Sequence, residues 1–137
     1  LTLTYVAGVA TSLVRAIEDW GGRRWTMVYD AQDYLTSIMT PLGCITKYGY
    51  SLAGSSSTLL HTIEDPRGYV TSYQYDANRR VVSMVAGTAT WNYEYDSTNR
   101  RTLETWPTGA VVTYNLDNSG NNVSTHRPEG YVITYEF

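Results

Sequence analysis

Asp65-Pro66-Arg67-Gly68-Tyr69-Val70-Thr71-Ser72-Tyr73-Gln74-Tyr75-Asp76-Ala77-Asn78-Arg79-Arg80-Val81 reads as turn, strand, turn, strand, and its punctuation decides the fold. Pro66 presets φ for the first central position of a turn, and Gly68 accepts the positive φ that a later position needs. Thr71, Tyr73 and Tyr75 then alternate with Ser72 and Gln74, the period-two pattern of a strand with one shielded face. The Asp76 carboxylate can accept backbone amides two or three residues on, closing a second turn before the aliphatic run at Val81.

The same motif recurs along the 137 residues. Tyr48/Tyr50, Tyr73/Tyr75 and Tyr93/Tyr95 form aromatic pairs, with Leu3/Tyr5, Met27/Tyr29, Tyr114/Leu116 and Tyr135/Phe137 as variants. Their second members step by 24, 21, 25, 20, 21 and 21 residues, six periods averaging 22. Gly43, Gly68, Gly109 and Gly130 each precede the first aromatic by five residues, and Asp30, Asp76, Asp96 and Asp117 directly follow the second member. The expected fold is all-β: tandem β-hairpin repeats stacked into a continuous twisted sheet or β-solenoid. The repeats fall at about 1–22, 23–43, 44–68, 69–87, 88–109 and 110–130, with a partial one at 131–137, all in a single array.

In the first strand of each repeat, the residues between the alternating positions are polar side chains except at Val28 and Gly49. One face is therefore expected to be buried or shielded while the other meets water. The second strands are less regular. Leu35–Ile38, Leu59–Ile63 and Val81–Val85 are apolar-rich, whereas Thr102–Trp106 and Val123–Arg127 are more polar. Val9 to Ile17 could pass for a short helix, but its place in the repeat favours loop plus strand.

The pattern Pro-x-Gly, Tyr-x-Tyr-Asp, tight turn and aliphatic strand resembles the Tyr-Asp (YD) repeats of the rearrangement-hotspot (Rhs) family, over essentially the whole chain. The resemblance implies a hairpin array, often a hollow shell around a toxin cargo in bacterial toxin complexes, with related repeats in large extracellular adhesion proteins of animals. The chain departs from that pattern where Ser51 follows Tyr50 in place of Asp, where Arg79 and Asn99 replace the turn Gly, and where Leu116 replaces the second Tyr. Since the sequence stays in repeat phase to its end, neither the self-cleaving segment that the resemblance implies for toxin-bearing members nor an effector is expected within these 137 residues.

Candidate chemistry is sparse. His61 and His126 have no partner at a recognised spacing, and there is no nucleophile elbow, zinc spacing or phosphate loop, so no catalytic residue is assigned. Asp117-Asn118-Ser119-Gly120-Asn121-Asn122 offers oxygen ligands, but its twelfth position is Pro128, so a turn is favoured and calcium is the alternative. No cofactor or metal is expected. Asn122-Val123-Ser124 fits the glycosylation pattern, and Arg23-Arg24, Arg79-Arg80 and Arg100-Arg101 recur beside turns as repeat features.

Thirteen Tyr and four Trp stand beside one Phe, so tyrosine is the residue to explain. Tyr29, Tyr48, Tyr50, Tyr73, Tyr75, Tyr93, Tyr95, Tyr114 and Tyr135 are read as structural aromatics. A net charge of −3 with no basic stripe leaves nucleic acid and anionic membranes without an electrostatic footprint. No apolar run approaches the ~20 residues of a spanning helix. Lone Cys44 cannot form an intrachain disulfide and reads as a small buried hydrophobe. The chain starts at Leu1 without a leader pattern and stops in strand phase, so it reads as a segment of a longer secreted or cell-surface protein. Leu1–Tyr5 and Ile133–Phe137 share one phase, which makes head-to-tail self-association another expectation. The functional reading is a structural scaffold, with a carbohydrate platform of exposed aromatics as the alternative.

Overall fold

The computed structural model describes residues 1–5, 13–53 and 57–136, with backbone alone at 51–53 and 57–58. Among them are thirteen strands and no helix. They are β1 (Thr2–Tyr5), β2 (Val14–Glu18), β3 (Arg24–Tyr29), β4 (Leu35–Met39), β5 (Ile45–Ala53), β6 (Ser57–Glu64), β7 (Val70–Tyr75), β8 (Val81–Ala86), β9 (Ala89–Asp96), β10 (Arg101–Thr105), β11 (Val111–Leu116), β12 (Asn122–His126) and β13 (Val132–Thr134). Of the stretch Val9 to Ile17, residues 9–12 lie outside the described residues and Val14–Ile17 belong to β2.

The chain divides into two compact units, Leu1–Thr71 and Ser72–Phe137, with the boundary inside β7. In the first unit β1 to β6 pair antiparallel, each with its neighbour in sequence. In the second, β8 to β13 do the same. The all-β hairpin-repeat fold read from the sequence is the fold observed.

The Pro-Gly turns and the Tyr-Asp turns share one geometry. At Asp19, Asp30, Thr40, Asp65, Asp76, Trp106, Asp117 and Arg127 the amide donates to the carbonyl four residues on at 2.8–3.0 Å. The amide three residues on donates back to the opening residue's carbonyl at 2.9–3.2 Å. That third residue takes φ of 66–86° and is Gly22, Asp33, Gly43, Gly68, Arg79, Gly109, Gly120 or Gly130. This is the three-residue hairpin loop, a type I turn followed by a left-handed residue, whose twist suits the flanking strands. Two hairpins differ. Gly87, with φ 62°, opens a two-residue turn between Ala86 and Ala89. The four residues Ser97 to Arg100 join β9 to β10, and there Arg100, at φ 50°, is the left-handed residue where the sequence pointed to Asn99.

Four hairpins, β1–β2, β3–β4, β5–β6 and β11–β12, carry one extra residue on the second strand. Tyr5 pairs with Val14, Tyr29 with Leu35, Tyr50 with Leu60 and Leu116 with Asn122, so the register steps over Arg15, Thr36, His61 and Val123. Such a bulge bends the strand and takes backbone groups out of the ladder. In β9–β10 the pairing runs unbroken from Asp96↔Arg101 to Asn92↔Thr105.

Burial is the point at which sequence and structure part. Tyr29, Tyr48, Tyr50, Tyr73, Tyr75, Tyr93, Tyr95 and Tyr114 are half-buried, not enclosed, and Tyr135 is exposed. Among the described residues only Ala16 (1% exposed) and Val112 (3%) are buried apolar side chains, joined by Thr125 (4%). Strands packed on sequence neighbours cover the flanks of a side chain but not its outer end, so the shielded face is shielded only from the sides.

Candidate functional site

Two recurring constellations account for most of the chemistry-bearing residues. The first is the turn carboxylate. Asp30 Oδ1 accepts the amides of Gln32 and Tyr34, both at 2.9 Å, and Asp76 Oδ1 accepts those of Asn78 and Arg80 at the same distance. Asp117 takes Ser119 and Asn121, and Asp19 and Asp65 do likewise in turns where the sequence pointed only to Gly or Pro. The second amide is thus four residues on, not three, because the loop holds three residues. Asp96, in the longer loop, takes Asn99 instead.

The remaining carboxylate oxygen binds a side chain: Arg23 on Asp19, Arg80 on Asp76, Asn121 on Asp117, Arg101 on Asp96. These bonds hold the carboxyls below the ordinary range. At Asp76 the Arg80 amide leads, at Asp19 the Arg23 side chain, at Asp117 that of Asn121 and at Asp96 that of Asn99. At Asp65 desolvation opposes the shift but is outweighed by the amides of Tyr69 and Arg67. Each such acid is engaged as a cap of its own loop.

The second constellation is a tyrosine latch between hairpins. Tyr29 Oη donates to the Val14 carbonyl at 2.9 Å, Tyr50 Oη to Leu35 at 2.9 Å and Tyr95 Oη to Val81 at 2.7 Å. Val14 and Leu35 directly precede the bulged residues Arg15 and Thr36, so the latch takes up a carbonyl beside the break in the ladder. The residue that closes the previous turn packs on the same ring. Tyr34 lies 5.2 Å from Tyr50, centre to centre, and the Arg80 guanidinium 4.3 Å from the Tyr95 ring centre. Burial pushes the phenols of Tyr50, Tyr75, Tyr93 and Tyr95 upward.

The other candidates do not converge. His61 is exposed at a bulge in β6, and His126 is exposed opposite Thr113 and Val132. Cys44, expected to be buried, is instead exposed, because it closes the turn at Gly43, where the Thr40 hydroxyl accepts its amide at 3.2 Å. Among the described residues no three His, Cys, Asp or Glu side chains are grouped to hold a metal ion. The half-buried Asn122 amide of the glycosylation pattern meets the Thr125 hydroxyl 2.9 Å away. An open groove of ≈ 880 Å³ between the turns at Gly22 and Gly43 is lined by Trp25, Met39, Pro41 and Leu42. The arginines beside it, Arg23 and Arg24, are turned to Asp19 and Glu18.

One residue escaped the sequence reading. Glu104, in the polar second strand β10, pairs with Tyr93 and Val112 and so lies on the aromatic face. Tyr114 Oη donates to its Oε2 at 2.7 Å. Burial, followed by this bond, pushes the Tyr114 phenol up to about 12. The signal available in the sequence was register: counting back from Asp96 through an unbulged hairpin puts Glu104 opposite Tyr93.

No curated protein compared with the chain matches it. The family model of the Teneurin YD-shell matches residues 11–137, the span of the turns and latches described above. The chain belongs to the Teneurin YD-shell family, a YD-repeat family.

Proposed function

We propose that this chain is a wall segment of an extracellular YD-repeat shell and has no catalytic activity of its own. Membership of a YD-shell family gives it a structural, shell-type role. The observation that carries the finer reading is the latch: the second tyrosine of a repeat spends its hydroxyl on a carbonyl 14 or 15 residues back, in the preceding hairpin. A side chain used this way couples hairpins along a wall. Caps consume the acids in the same manner, which leaves architecture as the work these residues do.

In a repeat wall, stability grows with the number of nearest-neighbour interfaces. Duplicating residues 23–68 in frame should therefore raise the thermal midpoint and keep the transition cooperative. An unchanged midpoint, or hydrolytic activity that survives purification and is lost on substituting a cap such as Asp76→Asn, would refute the wall reading.

A further inference from the structure

Glu104 differs in what it faces both from the acids held in ion pairs and from Asp30 and Asp117, which pair with no cation among the described residues but accept two backbone amides each as turn caps. Asp19, Asp65, Asp76, Asp96, Glu18 and Glu64 each lie within ion-pair distance of an arginine or lysine. Half-buried Glu104 has no such cation among the described residues. Its Oε2 accepts the Tyr114 hydroxyl, and its Oε1 has no hydrogen-bond partner among them. On the same face Tyr93 stands directly across in β9, and buried Val112 stands across in β11. A half-buried carboxylate with Tyr93 and Val112 as its cross-strand neighbours and the Tyr114 hydroxyl on one oxygen has no counter-charge among the described residues. The charge of Arg127, just beyond β12, reaches the Tyr114 phenol, but Arg127 makes no ion pair with Glu104.

We propose that Tyr93, Glu104 and Tyr114 form a binding site for an alkylammonium group. The Glu104 carboxylate supplies the counter-charge, and the negative faces of the tyrosine rings receive the cation and its methylene or methyl groups. Charge complementarity commits the site to a cation: an anion would meet Glu104, and a neutral saccharide would leave that charge uncompensated on a half-dehydrated face. The same chemistry is presented by a small quaternary amine and by a lysine side chain of a partner chain.

The test uses the full chain and follows the tyrosine ring protons by NMR at constant ionic strength. Choline and its neutral isostere 3,3-dimethyl-1-butanol are titrated first. Saturable shifts on Tyr93 and Tyr114 with choline, about tenfold weaker with the alcohol, are expected for a cation–π site backed by a carboxylate. Glu104→Gln, which retains an acceptor for Tyr114, should weaken choline about tenfold, while Arg127→Ala should tighten it. Nα-acetyl-lysine methylamide then distinguishes the sources: tighter binding than choline assigns the site to a lysine of a partner chain, weaker binding to a free quaternary amine. Equal response to choline and the alcohol, full binding by Glu104→Gln, or shifts with methyl glucoside but not with choline would each overturn the proposal. The comparison of choline with the alcohol needs no variant, so it stands even if Glu104→Gln fails to fold.

Discussion

The β3–β4 and β9–β10 hairpins fill the same place in the repeat and are closed differently. In β3–β4 a three-residue loop follows Asp30, Thr36 is extra opposite Tyr29, and the Leu35 carbonyl beside it accepts the Tyr50 hydroxyl from the next hairpin. In β9–β10 the loop has four residues, the register is unbroken, and the next repeat carries Leu116 where a tyrosine stands in the repeats before it. The difference teaches what the repeat tyrosine is for. At Val14 and Leu35 it goes with the bulge, where an extra residue takes a carbonyl out of the ladder and the hydroxyl bonds it; in β9–β10 no residue is extra.

The largest expected effect comes from pH, because it acts on five side chains together. Tyr50, Tyr75, Tyr93, Tyr95 and Tyr114 have phenols raised above the ordinary value of 10.0, Tyr114 to about 12. An unfolded chain ionises its tyrosines near 10, ahead of the folded one. The stability this gives is full below that pH and drains as pH rises toward 12. Strand circular dichroism should collapse in that window. Tyr114→Phe should begin less stable at pH 8, since Glu104 loses its donor, and then fall less steeply; an unaltered slope would show that Tyr114 ionises freely.

Next in size is the latch itself. Tyr50→Phe removes the donor from a half-buried carbonyl and should cost about 1–3 kcal/mol in chemical unfolding. Leu116→Tyr restores the family residue opposite a hairpin with no bulge and should gain nothing. A stabilisation by Leu116→Tyr equal to the loss at Tyr50 would detach the tyrosine from the bulge and break the comparison.

Turn spacing and side-chain alternation were legible in the sequence because both are local. Gly43, Gly68, Gly109 and Gly130 mark positive φ in their own loop, and Tyr-x-Tyr marks a strand in its own strand. The latch was not, since it joins residues 14 or 15 apart through a bulge, and nothing in Leu35-Thr36-Ser37 announces which residue will be extra. Glu104 was hidden for the same reason, because its face depends on β9–β10 lacking the bulge that other hairpins have. The depth of burial was overread because a period-two pattern tells which side is shielded, not whether anything covers it. That two turn signals, Pro-x-Gly and Tyr-Asp, yield one loop geometry was also invisible: a pyrrolidine ring enforces it at Pro41, Pro107 and Pro128, a carboxylate cap at Asp30, Asp76 and Asp117, and both together at Asp65-Pro66.

A smaller effect follows from that shared geometry. Gly68 sits at φ 85° with nothing within 4 Å of where a Cβ would be, so Gly68→Ala should cost about 1 kcal/mol through backbone strain alone. Equal cost at Gly109 would show that the loop, not its neighbours, sets the penalty.

Arg79 gives the converse, and the smallest change. It occupies the same loop position as Gly68 with φ 66°, which an L side chain adopts at a cost, while the neighbouring Arg80 makes the contacts to Asp76 and Tyr95. Arg79→Gly should therefore stabilise by about 0.5 kcal/mol, the strain relieved being partly offset by the greater freedom of glycine in the unfolded chain. The same change at Arg100, with φ 50°, should gain less, because its guanidinium bonds Asn118 of the adjacent loop. If Arg79→Gly destabilises the chain, Arg79 holds the loop through its side chain, and the two turn types are not one geometry differently enforced.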